Sequence, residues 1–172
     1  MNSMKSKISK PQTLRTLIVE DSEDDALLLI RALKKNGYDP LYERVENAAA
    51  MKKALREKPW DIILCDYKMP AFSAQQAIAL LKKIKSDIPA IIVSGNISEE
   101  MAIECMRSGA HDYIMKSNLS RLCPAIKREL AEAKIRRKQK LMEEKLRQEQ
   151  QRFRALAEQS SDIIVLLNRE GN

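Results

Sequence analysis

The chain has 172 residues, 44% hydrophobic and 32% charged, with a formal net charge of +7. That length fits one well-buried domain plus an appendage, and no apolar run approaches a membrane span. The charge is unevenly spread: Met1–Arg15 carries +4 and Thr16–Ile126 only −1, whereas Lys127–Arg154 carries +6. A basic tail and a solvated helix face therefore account for it better than nucleic-acid recognition, which no motif accompanies.

Residues 1–13 read as a flexible basic tail; with no apolar core behind it, it is not a secretory signal. Cys65, Cys105 and Cys123 are odd in number and lack paired spacing, so they read as buried thiols of a reducing, cytoplasmic compartment. Leu14–Glu20 is the first expected strand. Ser22-Glu23-Asp24-Asp25 then has the form of a capping box, the short acid returning to the helix start. That helix runs to Asn36, where Gly37 terminates it. Leu41–Val45 is a second strand, placed at an edge by Pro40. Asn47 caps a helix that ends before Pro59, and a third strand delivers Asp66.

Ser73 is the next N-cap, with Ala77, Leu80, Leu81 and Ile84 at the spacing of a helix packed on a sheet. Pro89 precedes a fourth strand ending at Ser94. A helix from Ser98 closes at Gly109, and Asp112–Met115 is the fifth strand, followed by a helix beginning near Leu119. Short β-branched runs alternating with amphipathic helices make an α/β fold with a doubly wound, five-stranded parallel sheet and a long C-terminal helix. Ligands bind outside the carboxyl ends of such strands. Glu20-Asp21, Asp66, Ser94 and Lys116 all stand there, which is the equipment for holding a divalent cation beside a phosphoryl group.

Taken in order, Glu20-Asp21, Cys65-Asp66-Tyr67-Lys68-Met69-Pro70, Ser94-Gly95, Gly109-Ala110-His111-Asp112-Tyr113 and Lys116 resemble the receiver domain of two-component response regulators over residues 14–128. The resemblance implies a flavodoxin-like sheet of order 2-1-3-4-5. It implies Asp66 as phosphoacceptor, attacking phosphorus to form an aspartyl-phosphate, with Lys116 and Ser94 steadying phosphoryl oxygens. Glu20, Asp21, Asp66 and the main-chain carbonyl of Lys68 would hold Mg²⁺, with Mn²⁺ as the alternative ion. Ser94 and Tyr113 would form the switch, although Tyr113 is equally readable as packing; His111 reads as a turn residue. The partner would be a sensor histidine kinase or a phosphotransfer protein.

Two departures stand out. Lys116 is followed by Ser117-Asn118 where many receivers have a cis proline, and a cis bond here would be costly. Lys68 places a long cation two residues after the phosphoacceptor, either over the site or out in solvent. It also displaces the second Asp that a related phosphatase would need, so self-catalysed phosphoryl transfer is the reading for this fragment, not enzymatic turnover. A phosphorylation-independent adaptor and a nucleic-acid binder are the alternatives.

From Leu119 to Glu158 there is no glycine and one early proline, Pro124, among strong helix formers. Leu119, Ile126 and Ala133 are seven apart, as are Ile135 and Met142, and Leu146 and Phe153, in runs that look out of register with each other. Residues 129–152 thus suggest a coiled-coil linker with offsets, making a homodimer through Leu130, Ala133, Met142, Leu146 and Phe153. Residues 153–172 resemble the truncated opening of a PAS sensory domain, which implies a longer protein with a histidine kinase or diguanylate cyclase output.

Overall fold

Parallel strands need long crossovers, and every connection in the computed structural model is helical. The structure describes residues 11–96 and 98–159. Strands β1 (Gln12–Val19), β2 (Tyr38–Val45), β3 (Ile62–Asp66), β4 (Ala90–Ser94) and β5 (Asp112–Met115) alternate with helices α1 (Glu23–Lys35), α2 (Ala48–Glu57), α3 (Ala74–Lys83) and α4 (Glu99–Ser108). A 3-10 turn at Lys116–Arg121 leads into α5 (Leu122–Gln159). The strands form one parallel sheet of order β2-β1-β3-β4-β5. The expected doubly wound α/β sheet and long C-terminal helix are therefore present, with β2 at the edge.

Because side chains alternate along a strand, β3 feeds two cores. Ile63 and Cys65 pack with Met51, Phe72, Ala77 and Ile92 on one face. Ile62 and Leu64 pack with Leu29, Leu33, Ile114 and Ile126 on the other. All five residues of β3 are buried, so its end is rigidly placed. Trp60, just before β3, is 6% exposed and donates its indole N–H to the Ala54 carbonyl at 3.0 Å.

Local signals explain most boundaries. Ser73 and Gln76 form a complete capping box at α3, and Asn47 and Ser98 accept from Ala50 N–H and Met101 N–H. Gly109 closes α4 at φ +104°, a left-handed conformation that favours glycine. His111 is structural: its Nδ1 accepts from Ala90 N–H at 3.1 Å, tying the turn before β5 to the start of β4.

Four expectations need correction. Strand β1 starts at Gln12 and ends at Val19, because Gln12 and Thr13 pair with Tyr38 and Asp39 of β2, which itself starts earlier than Leu41. The last helix begins at Leu122, since residues from Lys116 take a 3-10 path with Asn118 outside helical geometry. The capping box at α1 is half-formed: Ser22 Oγ accepts from Asp25 N–H at 3.3 Å, but the Asp25 carboxylate turns to the Lys116 ammonium instead, the stronger partner for an anion. Finally, Ala133 is 2% exposed and Leu130 packs on the receiver core, so neither presents a free face.

The chain divides into two compact units at Lys134/Ile135. In the first, Arg128 holds the start of α5 to β5 through Asp112, Nη2 to Oδ2 at 2.5 Å. In the second, Met142, Leu146 and Phe153 are exposed on a helix. The segment likened to a PAS opening lies, from residue 160 on, outside the described residues, as do residues 1–10 of the basic tail. No helix of the described residues is long and apolar enough to cross a membrane.

Candidate functional site

Glu20, Asp66 and Lys116 come from three different strand ends and meet. Glu20 follows β1, its backbone N–H donating to Val45 at 3.0 Å, and only 2% of it is exposed. Asp66 ends β3. Lys116, just past β5, sends its ammonium to Glu20 Oε2 at 2.8 Å, Asp66 Oδ1 at 2.9 Å and Asp25 Oδ2 at 2.6 Å. Lys68 N–H donates to Asp66 Oδ2 at 2.8 Å, so both carboxylate oxygens of Asp66 are engaged.

Asp25 is the member that sequence reasoning missed. The sequence offers it as a helix cap, yet it lies four residues after Asp21, one helical turn further on. That spacing was the available signal. Arg44 was missed as well: its Nη1 donates to the backbone carbonyls of Glu20 at 3.0 Å and Asp21 at 3.1 Å, fixing the acidic loop from β2.

The remaining predicted residues stand around this core, and of them Lys68 bonds to it through its backbone N–H. The Asp21 residue is exposed. Ser94 is buried at the end of β4, its hydroxyl donating to the Asn96 carbonyl at 3.2 Å. Tyr113 is half-buried and packs on the core that contains Ile63 and Ile92. Lys68 is exposed, and no peptide bond among the described residues is cis, including the one after Lys116.

Electrostatics in the cluster are tightly balanced. Burial pushes the Glu20 carboxyl above its ordinary range; bonds from Lys116 and Ser22 N–H pull it partly back, and the Asp66 charge adds to the rise. Burial opposes the charge on Lys116, but bonds to Asp25, Glu20 and Asp66 outweigh it and hold its pKa above the ordinary lysine value. The native state holds the Glu20 proton more tightly than the unfolded chain, so stability falls as pH rises from about 4.5 through the raised native value. Glu20→Gln, which still accepts from Lys116, is expected to flatten that decline and to melt above the wild type at neutral pH without metal. Urea melts from pH 4 to 8 compare the two slopes, and a steeper decline in the variant would contradict the assignment.

Three carboxylates around one ammonium leave an excess of negative charge on oxygen donors, which suits a hard divalent cation. As they stand, no three His, Cys, Asp or Glu side chains among the described residues are grouped as a metal set. The Lys116 ammonium bridges Glu20 and Asp66 instead.

Fold and cluster together define a doubly wound α/β protein with an acidic, lysine-bearing cluster at the point where strand order reverses between β1 and β3. Residues 16–127 match the family model of the response regulator receiver domain, and the chain belongs to that family. Over 102 residues it is 28% identical to the transcriptional regulatory protein PrrA of Mycobacterium tuberculosis, covering 59% of this chain and 43% of PrrA. It is 32% identical over 102 residues to the chemotaxis protein CheY of Thermotoga maritima, covering 59% of this chain and 84% of CheY. The receiver domain of a signal transduction histidine kinase from Syntrophus aciditrophicus superposes with a TM-score of 0.58 at 28% identity, over 69% of this chain and 90% of that one. The chain thus spans less than half the length of PrrA but most of CheY. Receivers of this family take their signal from sensor histidine kinases, and the adaptor and nucleic-acid readings are not favoured.

Proposed function

We propose that Asp66 is the phosphoacceptor of a two-component relay. The observation that carries this is the Lys116 ammonium held 2.9 Å from Asp66 Oδ1 at the carboxyl end of the central strand of a receiver domain. In the transfer, an Asp66 oxygen bonds to phosphorus as the phosphorus–nitrogen bond of a phosphohistidine breaks, and the imidazole leaves with its electron pair and takes up a proton. Lys116 then faces the added negative charge on the phosphoryl oxygens, with Ser94 supplying a hydroxyl and Tyr113 following its movement as the switch. Glu20, Asp21, Asp66 and the Lys68 carbonyl would hold Mg²⁺ or Mn²⁺, which supplies charge neutralisation between two anions as they approach.

The helix beyond the receiver would carry the response to an output outside this chain, a histidine kinase or diguanylate cyclase entered through a PAS domain. The exposed Met142, Leu146 and Phe153 support dimerisation through that helix. Incubation with acetyl phosphate and Mg²⁺ is expected to add one phosphoryl group, released by hydroxylamine as an acyl phosphate should be. Absence of labelling, or a hydroxylamine-resistant product, overturns the reading.

Lys68 offers a further test. Its ammonium can shield the phosphoryl group from in-line attack by water, and Lys68→Ala keeps the main-chain carbonyl in place. The substitution is expected to speed loss of the phosphoryl group several-fold with Mg²⁺ affinity unchanged. An unaltered lifetime, followed by phosphate release, would assign the side chain to solvent.

A further inference from the structure

We infer that the exposed stripe of α5 is the seam of a parallel, in-register coiled coil with a second copy of this chain; the inference rests on the dimerisation proposed above. The apolar runs that looked out of register share one heptad frame. Ile135, Met142, Glu149 and Leu156 are d positions, and Gln139, Leu146 and Phe153 are a positions, at alternating spacings of three and four. The earlier run of Leu119, Ile126 and Ala133 belongs to another stripe, in which Ile126 and Ala133 are buried. That is why the runs seem offset.

The side chains of this seam fit no role in the single chain. Ile135, Met142, Leu146, Phe153 and Leu156 are between 57% and 74% exposed. Five of the seven seam positions are apolar, whereas among the fifteen intervening positions from Arg136 to Ala155 only Leu141 and Ala155 are. A helix with no partner has no cause to concentrate apolar residues on one stripe.

Flanking charges choose both the partner and its direction. The g positions are Lys138, Lys145 and Arg152, and the e positions are Arg136, Glu143 and Gln150. In a parallel pair of identical helices, g faces the e position five residues on in the partner. Lys138 then meets Glu143 and Lys145 meets Gln150, so one attractive contact forms twice and no like charges face each other across the flanks. In the antiparallel pair with full overlap, g faces g and e faces e. Lys145 then meets Lys145, Glu143 meets Glu143 and Lys138 meets Arg152. That arrangement would pair Gln139 with Glu149 in the seam, but it sets like charges against each other along both flanks, and the parallel arrangement wins on the count of repelling contacts. Glu149 facing its own counterpart is the cost that remains.

The experiment uses the full chain. Sedimentation should show a dimer, and Lys138→Glu should weaken it about tenfold by turning two attractions into repulsions, with Glu143→Lys added to it restoring the affinity. In an antiparallel dimer the same Lys138→Glu faces Arg152 and tightens association. Oxidative cross-linking gives an independent reading, because Cys65, Cys105 and Cys123 are all buried. Met142→Cys should cross-link to its own copy; if it links only to a Leu146→Cys chain, or if Lys138→Glu tightens the dimer, the parallel register is overturned and dimerisation stands. A monomer at every concentration overturns both. Acetyl phosphate labelling of the same sample reports on the phosphoacceptor separately.

Discussion

Lys116→Met is expected to destabilise the metal-free domain by about 3 kcal/mol, because removing one partner of a buried charge cluster strands the others. Glu20 is 2% and Asp66 8% exposed, and both lean on the same ammonium. Methionine replaces the stem of the lysine but none of its charge, leaving two buried carboxylates and the half-exposed Asp25 facing one another. Added Mg²⁺ should recover much of the loss, since it binds the native state and not the unfolded chain. Its affinity should exceed that of the wild type, because no ammonium competes for the carboxylates. Urea melts with and without Mg²⁺ give both quantities. A variant as stable as the wild type without metal would mean that the ammonium contributes nothing net to this cluster.

Asp66→Asn should abolish phosphorylation by acetyl phosphate and by a phosphohistidine donor alike. An amide is not a nucleophile towards phosphorus, and no other carboxylate is both at the end of the central strand and in contact with Lys116. Labelling should fall at least a hundredfold while the fold persists, because the asparagine oxygen can still accept from Lys68 N–H, as Asp66 Oδ2 does at 2.8 Å. Intact-mass measurement after incubation checks the outcome, with circular dichroism confirming the fold. Undiminished labelling would move the acceptor elsewhere, Asp21 and Asp25 being the carboxylates to examine next.

How much of this was legible depended on how local the cause was. The strands declared themselves through runs such as Ile62–Cys65, buried on both faces, and the helix starts through Asn47, Ser73 and Ser98. The acids and the lysine could be placed because a parallel sheet collects its strand ends at one edge. What could not be read was which partner a side chain would choose among several. Asp25 had a backbone N–H within reach and took an ammonium ninety-one residues away. Arg44, on an edge strand, gave no sign that it would tie down the loop after β1. The register of α5 was obscured for a related reason: its first turns pack on the receiver core while Met142, Leu146 and Phe153 are exposed, and a single apolar tally mixed the two stripes.

Trp60, the only tryptophan of the chain, stands at the opposite end of β3 from Asp66. With a rise of about 3.3 Å per residue, the strand carries the chain roughly 15 Å or more from the Trp60 end to Asp66. The ring is enclosed by its own helix–strand junction, and its N–H is already committed to Ala54. Tryptophan emission, excited apart from the tyrosines, is therefore expected to follow denaturation of the sheet and to change little during cation titration or phosphoryl transfer. The indole thus reports whether the protein is folded rather than whether it is switched on; an indole that reports signalling must be introduced near Ser94 or Lys116.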